Sequence, residues 1–287
     1  MGLGDCAFRG HIDLFTHIES AFGAASFDLF VASFENLYDD FLCGTIHPTH
    51  ERAPLRGEGF CATFAHFWNL RFVEARKIRR PAHTKSAQAI AKILHSVAHI
   101  EMSAIVLALD SAYRFRELPR GFYADWLEVA RDEIMHFKRI CALLSELGFA
   151  FGDFAVHDEL FAALCCTQDS LELRMGIVHR GLEARGLDAN PFVQRKLADT
   201  ELALKSAIRD TMDIILHDEI SHVHKGDVWW KSCATRPFLQ LCESFRFRLA
   251  GKILNESARL SAGFSESEIN ELRGFYSQKQ NPRERQL

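Results

Sequence analysis

One six-residue pattern occurs twice in this chain. Arg131-Asp132-Glu133-Ile134-Met135-His136 is followed, 86 residues later, by His217-Asp218-Glu219-Ile220-Ser221-His222. Asp, Glu, Ile and His recur at the same steps. A Glu and a His three positions apart lie on one face of a helix, so each pair can aim both donors at a common point. The aspartate before each Glu sits about 100° further round and faces a neighbouring helix instead. The simplest way to bury two such pairs is a core made from two similar helix pairs.

The flanking sequence supplies those helices. From Ser86, the run AQAIAKILHSVAHIEMSAIVLALDSAYRF places apolar residues at three- and four-residue steps, the helical period. It stops before Leu118-Pro119-Arg120-Gly121. A second helix is expected from Phe122 to Leu147, ended by Gly148. Helical pattern resumes at Glu159, with a break near Gln168, and continues to Leu187. Gly186-Leu187-Asp188-Ala189-Asn190-Pro191 interrupts it, and a short helix (192–199) and a long one (201–225) follow. Upstream, Ala24–Phe41 is helical, with Ser26 or Asp28 as cap, and residues 43–60 are loop. Downstream, at least one more helix is expected (Arg236–Leu260), then a polar tail without fixed structure. Seven prolines and 24 phenylalanines in 287 residues suit long amphipathic helices, and no segment reads as a strand. The fold expected is all-α: a four-helix bundle over 81–230, an N-terminal helical and loop extension over 1–80, and a C-terminal helical extension and tail over 231–287.

Bundles that hold two metal ions take one Glu from each of two helices and a Glu-x-x-His from each of the other two. A lone Glu should therefore precede each motif on its own helix. Glu101 lies in the apolar run Ile-Glu-Met-Ser-Ala-Ile-Val, where a solvated face is not expected. With the turn near Glu117, Glu101 and Glu133 stand on arms of equal length and meet at one level. Asp110 would meet Ala124 and find no partner. In the second half the candidate is Glu183, and its midpoint with Glu219 falls at Glu201. The chain is therefore expected to reverse near 200, with 186–191 a kink inside the third helix. The ligand set is Glu101, Glu133, His136, Glu183, Glu219 and His222. Carboxylate with imidazole suits iron or manganese rather than a cysteine-held zinc. Asp132 could reach His222 and Asp218 could reach His136, fixing each imidazole from its far nitrogen.

Other residues carry weaker signals. His95 and His99 are spaced for a metal but do not share the Glu101 face, so they read as surface or satisfied core histidines. Tyr113, Trp229 and Trp230 could relay electrons, though packing is the simpler role. Arg180 and Arg185 flank Glu183 and could pair with Asp132 or Asp218. Arg71, Arg76, Lys77, Arg79, Arg80 and Lys85 could touch RNA phosphate, but such a run is usually a solvated face. His157-Asp158-Glu159 reads as a loop and cap. The eight cysteines are scattered and read as free thiols in a reducing compartment. A net charge of −4 offers no global attraction for nucleic acid or membrane. Neither a leader peptide nor a membrane span is recognised, so a cytoplasmic protein is expected.

Ser-Val-Ala-His-Ile-Glu-Met-Ser-Ala, Ala-Arg-Asp-Glu-Ile-Met-His-Phe, Glu-Leu-Gly-Phe-Ala-Phe-Gly-Asp, His-Arg-Gly-Leu-Glu-Ala-Arg-Gly-Leu-Asp-Ala-Asn-Pro and Leu-His-Asp-Glu-Ile-Ser-His-Val lie within about residues 80–230. Over them the sequence resembles a ferritin-like family of bacterial proteins of unknown function. More distantly it resembles the di-iron tRNA hydroxylase, rubrerythrins and ferritins. The resemblance implies the same six ligands around two iron ions, with manganese as the alternative. It does not imply a substrate, because one fold hosts many functions. Three functions are consistent with such a centre. The first is an oxidoreductase or hydroxylase using O2 or peroxide, an unnamed electron donor and a small-molecule or modified-RNA substrate. The second is a ferroxidase or peroxide scavenger without organic substrate. The third is a non-catalytic bundle stabilised by metal. A homodimer is compatible with each.

Overall fold

The computed structural model describes residues 12–49, 67–78, 81, 83–198, 203–245 and 248–279. Helix α1 (Leu14–Phe22) and helix α2 (Phe27–Cys43) come first. Ser26, not Asp28, caps α2: its hydroxyl accepts the Leu29 amide at 3.3 Å. Ile12–Asp13 and Ile46–His47 pair in parallel as two-residue strands, β1 and β2. They tie the start of α1 to the end of α2.

Four long helices follow. Helix α3 (Ala87–Arg114) is capped by Ser86, and α4 (Arg120–Glu146) ends before Gly148, whose φ of 80° no other residue adopts easily. They pack as an antiparallel hairpin. Helix α5 (Glu159–Cys166) is short. Helix α6 has three consecutive parts: a turn at Leu171–Leu173, a π-helical stretch Arg174–Leu182 and an α-helical stretch Glu183–Ala198. Helix α7 (Lys205–Cys233) returns along it and also packs on α4. The architecture is an all-α bundle, as the periodicity predicts.

Pro191 sits inside α6 without breaking it. A proline there deprives the Leu187 carbonyl of its intrahelical donor. Asn255 supplies a replacement, its side-chain amide donating to that carbonyl at 3.2 Å. Helix α6 thus runs on to Ala198, with no separate short helix after the proline. The expected reversal at 199–201 lies outside the described residues, but the helix ends that flank it are where the midpoint of Glu183 and Glu219 places them.

The helical span expected over Arg236–Leu260 is interrupted: α8 (Phe238–Ser244) and α9 (Glu256–Ser261) are separated, and α10 (Glu266–Lys279) follows. The segments between and around them pack on α6 through buried ion pairs. Arg259 donates to Asp188 at 2.9 and 2.7 Å, both side chains being fully buried. Arg180 donates to Asp227 at 2.6 Å and to Glu268 at 2.7 Å, within reach of the rings of Trp230, Phe238 and Phe264. The N-terminal helices join the same core, with Phe15 edge-on to Tyr113 and Tyr123. Helix α3 is long and apolar enough to cross a membrane, yet 78% of its apolar window is buried inside the protein, as in a core helix.

Candidate metal centre

Helices α3, α4 and α7 converge their acidic residues at mid-height. One donor atom from each of Glu101, Glu133, His136 and Glu219 lies within 4.8 Å of all the others. His136 Nδ1 is 3.2 Å from Glu101 and 3.5 Å from Glu133. His222 Nδ1 is 3.0 Å from the other oxygen of Glu133. Glu133 therefore stands between the two imidazoles. Glu183, on α6, and His222 are not among those four, but the ionisation of Glu183 responds to His222, Glu133 and Glu101. Equal arm length around Glu117 brings Glu101 to the level of Glu133.

The orientation of these atoms matters more than their closeness. Both oxygens of Glu133, one oxygen each of Glu101, Glu183 and Glu219, and Nδ1 of both histidines are buried without a hydrogen-bond partner. They approach one another without the alignment of hydrogen bonds. Buried polar atoms left this way are costly, and a cation could satisfy several of them at once. The far nitrogens are fully engaged. His136 Nε2 donates to Asp218 at 3.0 Å and His222 Nε2 donates to Asp132 at 3.2 Å. Each motif's aspartate thus holds the other motif's histidine and leaves its Nδ1 facing the cluster. The donor set fits a pair of divalent ions: four carboxylates offset four positive charges.

Without metal, protons balance the charge. Burial pushes Glu101 up to about 7, aided by the Glu133 charge and opposed by His136. Burial would also raise Glu133, but His136 and His222 outweigh it and hold that carboxyl below its usual range. Burial opposes charge on both histidines. Even so, Glu101 and Glu133 lift His136 to about 12, and Asp132 and Glu133 lift His222 to about 10. Glu183 and Glu219 are raised well above ordinary glutamates by burial first. A metal bound here would have to displace these protons, so its apparent affinity would increase with pH.

Three features escape sequence reasoning. The first is the π-helical stretch Arg174–Leu182, which leads directly into Glu183; such stretches recur at functional sites. The second is Gly226 on α7, where a Cβ would fall 2.6 Å from the His179 carbonyl carbon, so only glycine allows this approach. The third is His179 itself, fully buried, with Nδ1 3.0 Å from Glu183 and Nε2 2.7 Å from Ser111 Oγ. Its position four residues before Glu183 was a signal available in the sequence.

The remaining candidates take structural places. His95 accepts the Gly152 amide and His99 bonds the His157 carbonyl, so both are core histidines. Asp110 does find partners, Arg114 and Arg174, within the core. Arg180 pairs with Asp227 and Glu268 rather than with Asp132 or Asp218. Tyr113 donates to Glu19 and Trp229 to Asp125. Arg76 and Lys77 pair with Glu74 on an exposed turn, while Arg79 and Arg80 lie outside the described residues. Asp158 occupies the cap of α5 without bonding through its side chain. Among the described residues, Cys43, Cys141, Cys165, Cys166, Cys233 and Cys242 are free thiols. Cys6 and Cys61 fall outside them.

The chain is 39% identical over 194 residues to an uncharacterised protein of Haemophilus influenzae. The match covers 63% of this chain and 66% of that protein, just under two thirds of the relative's length. No solved structure matches. A family pattern described as "Protein of unknown function (DUF455)" matches residues 31–270, most of the sequence, and the chain belongs to that family.

Proposed function

We propose that the chain is a ferritin-like, carboxylate-bridged di-iron protein that uses O2 or peroxide to oxidise an organic substrate. One observation carries this reading: two histidines turn unpartnered Nδ1 atoms toward four buried glutamates, while each Nε2 is held by the opposite motif's aspartate. Glu101, Glu133, His136, Glu183, Glu219 and His222 would hold the ions, with manganese as the alternative metal. The bound pair would supply redox chemistry at a small oxidant. The protein's own contribution is to fix the imidazole orientation, to present Glu133 between the two histidines and to keep bulk water out. Glu133 and His136 have no exposure, and Glu101 and Glu219 have 4% and 9%.

That closure also favours a second reading, a ferroxidase or peroxide-consuming centre without organic substrate. A cavity of about 750 Å³ between Pro191 and Met212 includes none of the six residues. Anaerobic loading with Fe(II), followed by O2 and then peroxide, tests both. A coupled diferric Mössbauer signature supports the di-iron centre. Iron that stays as a mononuclear ferrous species under O2 and peroxide overturns it. Catalytic turnover of peroxide by the protein alone selects the second reading over the first.

The crossed aspartates give a sharper expectation. Asp132→Asn and Asp218→Asn keep the shape but offer an amide where Nε2–H needs a strong acceptor. Each is expected to weaken iron affinity or slow oxidation by O2 roughly 10–100-fold. Circular dichroism should be unchanged. Equal affinity and equal oxidation rate in both variants would remove these residues from the account.

A further inference from the structure

The cluster adjoins a row of aromatic rings that the ligand set alone does not need. His179, hydrogen-bonded to Glu183 at 3.0 Å, lies over Trp126 with ring centroids 3.8 Å apart and planes inclined by 33°. That is closer than the usual 4.5–7 Å of aromatic pairs. Trp126 is wholly buried. Phe122 follows at 6.1 Å, and Trp229 lies 5.1 Å from Phe122. Trp229 is partly exposed, and its indole N–H donates to Asp125 at 2.7 Å.

We propose that Glu183, His179, Trp126, Phe122 and Trp229 form an electron route between the metal pair and the surface. The inference rests on the di-iron reading. The chemistry differs along the row. The Trp126 N–H has no hydrogen-bond acceptor. An indole radical cation formed there keeps its proton, so the electron can leave and return without proton transfer. At Trp229 the Asp125 carboxylate lies against the indole N–H and stabilises positive charge on the ring. Phe122 is not oxidised and serves as the bridge between the two indoles. The other described tryptophans are less suited. Trp230 lies 4.5 Å from the Arg180 guanidinium, whose charge opposes oxidation of that ring. Trp68 packs among Phe27, Phe67, Phe137 and Phe151, rings that cannot themselves be oxidised as indole can.

The electron count closes with peroxide as oxidant and the iron already ferric. Peroxide takes two electrons and two protons and leaves as two waters. The electrons come one each from Trp126 and Trp229, and the protons from solvent. A one-electron reductant, ferrocyanide in the assay, refills both indoles through Trp229.

The test uses the diferric full-length protein, mixed with hydrogen peroxide, freeze-quenched and examined by electron paramagnetic resonance. A tryptophanyl radical is expected, identified in the unsubstituted protein by narrowing when ring-deuterated tryptophan is incorporated. Trp126→Phe should keep its iron and lose most of the signal. Trp229→Phe, near the surface, should keep a radical on Trp126 that ferrocyanide quenches more slowly. A signal that follows deuterated tyrosine, an undiminished signal in Trp126→Phe, or unchanged quenching in Trp229→Phe would overturn the route. Normal iron loading with no tryptophan signal overturns the route alone. Failure to load iron overturns the di-iron reading and the route with it.

Discussion

Glu133→Ala is expected to abolish metal binding, taking iron from about two equivalents per chain to near zero. Glu133 faces both imidazoles, at 3.5 Å from His136 and 3.0 Å from His222, and both its oxygens are unpartnered. Among the described residues no other glutamate has that double position, so on the proposed reading its loss would take a donor from both ions. Glu101→Ala is expected to be milder and to leave about one equivalent, because Glu101 approaches only His136 among the imidazoles. The comparison separates a shared carboxylate from a terminal one. Iron content by elemental analysis after anaerobic loading and desalting gives the answer. If Glu133→Ala retains iron as the wild type does, the bridging assignment is wrong.

The second large effect concerns stability and is independent of metal. Asp188 is fully buried on its side chain and accepts from the Gly251 and Asn255 amides as well as from Arg259. Asp188→Ala leaves the Arg259 guanidinium buried without its counter-charge. Breaking a buried pair from one side costs about 3–5 kcal/mol, measurable by urea unfolding at constant slope. The double variant Asp188→Ala, Arg259→Met should recover part of that loss, because no uncompensated charge remains. A single variant as stable as wild type would mean that the segment around Gly251 and Arg259 adds nothing to the fold of α6.

Much of this arrangement was legible in the chain, for identifiable physical reasons. The helix period, the cap offered by Ser26 or Asp28 and the stop at Gly148 are local, so α2, α3 and α4 could be read from short windows. Equal arm lengths placed Glu101 opposite Glu133 because an antiparallel hairpin converts sequence distance into height. The repeated aspartate suggested a crosswise hydrogen bond because residues one step apart on a helix face different neighbours. What could not be read depends on long-range partners. Pro191 looks like a break until Asn255, far along the chain, is seen to take over the Leu187 carbonyl. Asp110 looked isolated because only its position opposite Ala124 was weighed; Arg114, four residues on along the same helix, was a local signal, whereas Arg174 comes from a different helix. The π-helical register of Arg174–Leu182 has no local signature: the close approach at Gly226 and the burial of Arg180 among distant aromatic rings are tertiary facts. The division of the segment after Arg236 into α8 and α9 was not legible, because no proline lies between them.

The central claim is that six residues hold two metal ions together. Its most direct measurement is the iron content of the wild-type protein after anaerobic Fe(II) loading, combined with Mössbauer spectroscopy after oxidation. The account predicts close to two equivalents per chain and a single pair of coupled ferric sites. A reproducible value near zero, or a tightly held zinc bound through cysteine instead, would contradict it.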